Sequence, residues 1–284
     1  MATQITNLTK IKIFMRNNTL LFSAFAVTFL SFISCTKEDS LAATDNSSVV
    51  ASASIDLVNE LDIKTGNQIS FDKLTTKQTG KSLTASCAAV TMDPVTTTFP
   101  KTFYVDFGTG CTTNGITRKG KLKVTFSNYI TQTGSTMTIE RVDYYVNGNK
   151  AEGKIEYKNT TVSPNTPQWT RTITGGIFTD TKGEVYLNSG THTIKQTAGV
   201  STAVLDDNTY EMIEGTHSVT KQNGAKITLT VLESLVKNYN CDYISKGKLK
   251  VESLLLNGTI DYGNGDCDKN ATYTQNGIVF PFTM

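Results

Sequence analysis

Five cysteines, two histidines and a few closely spaced carboxylates are the residues whose types and spacing could do chemistry in this chain. Cys35 ends an apolar run that starts at about Leu20, and it directly precedes Thr36-Lys37-Glu38-Asp39. As a thiolate it is a nucleophile able to form a thioether. His192 and His217 are the only histidines, and each follows a Gly-Thr pair. Neighbouring strands would let them share a metal or a proton, although two ligands make a weak site unless carboxylates complete it. Separated strands would leave each one on a face of a Thr-rich ladder. Asp266-x-Asp268-x-Asn270 carries the first three ligand positions of a calcium loop. Ala271 stands where that loop needs Gly and Gly277 where it needs Glu, so it is not an EF-hand. Asp261, Asp266 and Asp268 are therefore weak metal candidates, and a disulfide-pinned turn is the stronger expectation.

Other constellations fall short. Gly80-Lys81-Ser82 ends like a phosphate loop, but Thr75 occupies the required upstream glycine position. There is no Gly-x-Ser-x-Gly elbow. Glu140, Glu152, Glu156 and Glu184 lie in alternating segments, where a solvated sheet face explains them. Trp169 with Tyr144 and Tyr145 would make a sugar-stacking platform; alternatively Trp169, near Pro164 and Pro167, anchors a loop. No catalytic residues and no cofactor are expected from these patterns.

The segment around Cys35 resembles the lipobox of bacterial lipoproteins, with Ile33-Ser34-Cys35 as apolar residue, small residue and cysteine. Lys10, Lys12 and Arg16 precede it, and no acidic residue occurs before Glu38. The apolar core of roughly 14 residues suits a signal peptide and is short for a membrane span. The resemblance implies cleavage after residue 34, diacylglycerol on Cys35 and a membrane tether, each buried CH₂ contributing about 0.8 kcal/mol. Cys35-Thr36-Lys37-Glu38-Asp39 is similar to the Lys-then-acidic export signal of surface lipoproteins of the phylum Bacteroidetes. That likeness implies an outer-membrane lipoprotein, exposed at the cell surface rather than facing the periplasm.

Residues 1–34 hold three basic and no acidic side chains, so removing them takes the formal charge from +2 to −1. A near-neutral chain has no nucleic-acid-type patch, and no nucleic-acid partner is expected. Cys87, Cys111, Cys241 and Cys267 remain, and an even count in an exported chain suggests two disulfides with three possible connectivities. Cys87–Cys111 with Cys241–Cys267 is favoured, because the spacings are similar and both second members close the same motif. Long-range staples are the alternative. No Cys-x-x-Cys spacing points to zinc.

The elements that must position these residues read as an all-β body. Residues 35–54 are rich in Ser, Ala, Thr and Asp and are expected to be a flexible tether, with the β domain spanning 55–284. Ile55–Leu61 has apolar residues at helical spacing, which predicts a short helix. From Lys101 onward alternating segments recur, punctuated by Asn-Gly at 114, 147, 223, 257 and 276. Asn-Gly between alternating runs is the strongest short hairpin signal, so an antiparallel meander follows. Gly190-Thr191-His192 is repeated as Gly215-Thr216-His217, and glycines at 120, 153, 190, 215 and 247 are expected to open strands. Long strands in such a sheet must curl, as a barrel or a sandwich.

Asp106–Cys111, Arg118–Lys121 and Asp261–Asp268 are also similar to segments shared by Bacteroidetes lipoproteins, over about residues 85–284. That likeness brings no activity and no functional residues. The expectation is a lipid-anchored envelope or cell-surface β protein without catalysis, binding a partner or organising the envelope. Its partners would be the membrane through the lipid, and a glycan or envelope protein. A carrier of a glycan or apolar ligand is the second reading and a hydrolase the third.

Overall fold

The computed structural model describes residues 45–74 and 87–284. The expected signal peptide, Cys35 and Gly80-Lys81-Ser82 lie outside the described residues. The described residues open with α1 (Ser47–Ile69), which ends in a π-helical turn over Ser70–Leu74. Among the described residues fourteen strands follow. The first seven are β1 (Ala89–Met92), β2 (Lys101–Asp106), β3 (Cys111–Thr113), β4 (Ile116–Phe126), β5 (Thr136–Val146), β6 (Asn149–Asn159) and β7 (Gln168–Thr179). The others are β8 (Val185–Ala198), β9 (Thr209–Lys221), β10 (Lys226–Asn238), β11 (Lys246–Glu252), β12 (Asn257–Asn264), β13 (Asn270–Gln275) and β14 (Ile278–Thr283).

The strands form one antiparallel sheet in chain order, with β3 folded back onto β4 beside the main path. Among the described residues β1 and β14 are its two edges, so the meander is neither a closed barrel nor a sandwich. Asn114-Gly115, Asn147-Gly148 and Asn276-Gly277 all have positive φ at both residues, as tight hairpins require. Asn257-Gly258 departs from expectation: it opens β12 instead of turning the chain.

The sheet curls because its strands are bent along a common line. Register shifts fall between Lys119 and Lys121, Glu140 and Tyr144, Glu152 and Lys154, and Ile173 and Gly176. The line continues through β8, β9, β10 and β11. An extra residue in one strand bends it and increases its twist. It also switches which parity faces inward: Met137 and Ile139 are buried before the break in β5, Tyr144 and Val146 after it. The recurring glycines sit at this crease, inside strands in most cases, which corrects the expectation that they open them.

The helix fills the concave side. Its nine consecutive residues Ile55–Ile63 are all buried, which at 100° per residue covers the whole circumference. The helix therefore spans 23 residues instead of the short stretch expected, and it starts at Ser47, inside the expected tether. Residues 47–54 read as a linker because they are Ser, Ala and Val without charge. Buried Ser48, Val49, Ala51, Ser52 and Ala53 show that small side chains are what let the sheet close around this end of α1. Among the described residues no helix is long and apolar enough to cross a membrane.

Candidate functional site

Helix and sheet meet through a buried polar spine. Asp56, Asn59, Glu60 and Asp62 of α1 are all buried. The sheet faces them with arginines at inward parity, Arg141 in line with Met137 and Ile139, and Arg171 between Trp169 and Ile173. Arg171 Nη1 donates to Glu60 Oε1 at 2.6 Å, and its Nη2 lies 3.8 Å from Asp56 Oδ1. Arg141 Nε donates to Asp62 Oδ2 at 2.8 Å, and Nη2 donates to Asn59 Oδ1 at 2.8 Å. The Tyr262 hydroxyl donates to Asp56 Oδ2 at 3.1 Å. Isolated charges at such depth cost many kcal/mol, so pairing is the condition for burying them. Burial pushes the Glu60 and Asp62 carboxyls up, by more than the facing guanidiniums of Arg171 and Arg141 pull them down.

The two histidines join this spine. β8 and β9 pair so that Gly190 lies opposite His217 and His192 opposite Gly215. The repeated Gly-Thr-His triplets thus meet head to tail, each glycine leaving room for the other's histidine. A Cβ on Gly190 would stand 2.3 Å from His217 Cβ, and one on Gly215 would stand 2.6 Å from His192 Cα. His192 Nδ1 is 3.2 Å from Arg171 Nη2, His192 Nε2 is 3.3 Å from His217 Nδ1, and His217 Nε2 is 2.9 Å from Ser52 Oγ.

Arginine can only donate, and this fixes the proton positions along the chain. Arg171 donates to His192 Nδ1, so the His192 proton is on Nε2 and goes to His217 Nδ1. His217 then carries its own proton on Nε2 and donates to Ser52. Both rings are neutral, as their environment demands. Burial pushes both imidazoles down, His192 well below its ordinary range, and the Arg171 charge adds to this in each case, while at His217 the Asp56 carboxylate opposes it. The serine–histidine contact is therefore the reverse of a nucleophile–base pair, which needs the ring nitrogen to take the hydroxyl proton. Ser52 is also fully buried. The cluster works as a cross-link between α1 and the sheet.

At the C-terminal end of α1 the charges are closer to solvent. Lys64 Nζ pairs with Asp242 Oδ1 at 2.7 Å, and Asn114 Nδ2 donates to Asp242 Oδ2 at 2.8 Å. Arg118 Nη1 donates to Thr65 Oγ1 at 2.8 Å, and the guanidinium lies 4.2 Å from the centre of the Phe107 ring. These residues border a cavity of about 370 Å³. Nearby, Lys237 is buried and donates to the Asn238 and Cys241 carbonyls, and burial pushes its ammonium down to about 8.

The remaining candidates fall as follows. Disulfides join Cys87 to Cys111 and Cys241 to Cys267. Asp261, Asp266 and Asp268 line an open groove with Lys246 and Lys248. The Asp261 and Asp268 carboxylates accept from the backbone N–H groups of Gly263 and Asn270, as turn-forming aspartates do. Among the described residues no group of three or more His, Cys, Asp or Glu is placed to hold a metal ion. Trp169 is not part of a stacking platform. It is buried, stacks on Tyr157 at 5.6 Å and donates Nε1 to the Ile130 carbonyl, so it anchors the β4–β5 loop. Tyr144 is buried, while Tyr145 lies beside Lys119.

Sequence reasoning found the histidine pair through the repeated triplet. It missed Ser52, Asp56, Glu60, Asp62, Arg118, Arg141 and Arg171. One signal for the arginines was present: the chain has only four, and the three after residue 16 all point at α1 while most lysines, Lys237 excepted, lie nearer the surface. No family model, no curated protein and no solved structure matches the chain.

Proposed function

We propose that this chain is a lipid-anchored envelope β protein, held by Cys35 at the outer membrane and acting through its outer surface without catalysis. It binds a partner or helps organise the envelope. The observation that carries the reading is the occupied concave side of the sheet: eighteen of the 23 residues of α1 are buried there. A carrier whose ligand fills the lumen needs that space, and the protein's own helix takes most of it. The buried carboxylates also argue against a hydrolase, because each is committed to an arginine or a tyrosine in place of substrate. The two disulfides fit an exported location.

The tether is shorter than the composition suggests. Only residues 36–46 separate Cys35 from α1. At about 3.5 Å per residue they reach at most roughly 40 Å. A short tether suits a protein whose partner lies at the membrane surface. Metabolic labelling with an alkyne-bearing fatty acid tests the anchor. Wild type is expected to take up the label and fractionate with outer membranes, and Cys35→Ser is expected to lose the label and become soluble. Unchanged membrane fractionation of Cys35→Ser would refute the anchor. Surface exposure is read separately, from digestion of the protein on intact cells by added protease.

A further inference from the structure

We infer that the cavity at the C-terminal end of α1 is a binding site for a small carboxylate with an apolar body, and that Arg118 receives the carboxylate. The inference goes beyond the anchored role: the cavity is the space left beside the last turns of α1, which give it Leu61, Lys64, Thr65 and Gln68. It starts from an inequality among the three inward arginines. Arg171 has Glu60 and Asp56, and Arg141 has Asp62. Among the described residues Arg118 has one hydrogen bond, to the Thr65 hydroxyl, and no carboxylate within ion-pair distance; Asp62, on which its charge acts through space, is held by Arg141. A guanidinium offers five N–H donors in a fork that matches a carboxylate. Here one of its nitrogens makes a hydrogen bond to a neutral group, and its face rests on Phe107.

The surroundings select the rest of the ligand. Leu61, Val105, Phe107 and Ile116 supply apolar wall to the same cavity, whose volume of about 370 Å³ fits a compact molecule. The second cation, Lys64, is already neutralised by Asp242 at 2.7 Å, and Asn114 holds that aspartate in place. Asp206, the other acidic residue of the lining, is exposed, where water weakens its repulsion of an anion. Among the described residues Arg118 is thus the cation of this lining with no carboxylate in contact, and it stands beside the apolar wall of a recess that Gln68, Asn114, Tyr239 and Asn240 also line. A medium-chain or aryl-alkyl carboxylate meets both demands.

Calorimetric titration with decanoate, phenylbutyrate and decanol tests this. Decanoate or phenylbutyrate is expected to bind, and decanoate at least about tenfold more tightly than decanol, the scale of one charge-assisted contact. Arg118→Met is expected to bring decanoate down to the decanol level. Arg118→Lys, which restores the charge but not the fork, is expected to recover part of the difference. Because Arg118 also packs on Phe107, Thr113→Trp provides a second variant. It fills the cavity from an exposed lining position and is expected to abolish binding of decanoate. The inference is overturned if neither acid binds, if decanoate and decanol bind equally, or if decanoate binds Thr113→Trp as it binds wild type.

Discussion

The two faces of the sheet treat charge in opposite ways. On the convex face, lysines pair with glutamates across neighbouring strands or along one strand: Lys123 with Glu140 at 2.7 Å, Lys248 with Glu233 at 2.8 Å, Lys250 with Glu252 at 2.7 Å. On the concave face, arginines pair with the helix, and Arg141, Arg171 and Asp62 are at most 3 % exposed. Strands such as β5 carry both kinds, Glu140 outward and Arg141 inward, one residue apart. The distances are alike, so distance does not separate them. What differs is the alternative open to each group when its partner is lost. A convex lysine turns to water, whereas a buried guanidinium or carboxylate has nothing else to turn to. The interior pairs therefore fix how α1 sits in the sheet, and the exterior ones decorate it.

Removing an interior cation should have the largest effect. Arg171→Met leaves Glu60 and Asp56 buried without their cation and takes the donor from His192 Nδ1. Breaking a buried pair on one side costs about 3–5 kcal/mol. Urea denaturation is expected to show a lower midpoint with an unchanged slope. The variant Arg171→Met/Glu60→Gln should recover part of the loss, because one orphaned carboxylate has been neutralised. A cost below about 1 kcal/mol for Arg171→Met would place this cluster with the exterior pairs and break the comparison.

The histidines sharpen the same contrast through pH. Burial depresses both imidazoles in the folded protein, whereas the unfolded chain titrates them near the ordinary value of about 6.5. Below that value the unfolded state binds protons that the folded state refuses, so the stability the pair contributes is present above about pH 6.5 and lost as pH falls. Glu60 and Asp62 act with the opposite sign. Their carboxyls are raised on folding, so their contribution is full at low pH and declines as pH rises through the raised values. The groups around the rings are Asp56, Glu60 and Arg171, and comparing wild type with His192→Gln/His217→Gln at each pH removes most of the carboxylate contribution. Between pH 7.5 and 5.5 that difference is expected to move against wild type at the acidic end, by up to about 1.4 kcal/mol per imidazole. A pH-independent difference would mean that the rings titrate as exposed histidines do.

The convex face was legible in the sequence and the concave face only in part. Asn114-Gly115, Asn147-Gly148 and Asn276-Gly277 announce their hairpins because positive φ at both turn residues is a local demand. Alternation along β4, β5 and β7 reads correctly as long as apolar means inward. Arg141 and Arg171 defeat that rule, since a charge on the inward parity reads as an interruption until the helix carboxylates are known to stand opposite. Asp56, Glu60 and Asp62 defeat it from the other side: a helix that is polar on part of its surface reads as solvent-facing, and here the sheet encloses it all round. The histidine repeat was visible, but only the antiparallel register of β8 and β9 places each ring against the other's glycine. The cavity beside Arg118 could not be read at all, because its walls come from α1, β2, β3, β4 and the β8–β9 and β10–β11 loops, far apart in the chain.

The smallest expected effect completes the contrast. Lys123 and Glu140 sit directly opposite each other on β4 and β5, 2.7 Å apart, with side chains 38 % and 44 % exposed. Glu140 hydrogen-bonds the Lys123 ammonium and raises it, but water and salt screen most of the attraction at this exposure. A double-mutant cycle through Lys123→Ala and Glu140→Ala is expected to give a coupling of about 0.2–1 kcal/mol that fades as salt is added. The same cycle through Arg141→Met and Asp62→Asn, one residue further along β5, is expected to give a coupling several times larger that salt barely changes. Pairs of almost equal length would then differ in strength by solvent access alone. If the two cycles gave equal couplings, the depth of α1 in the sheet would not be what sets their strength.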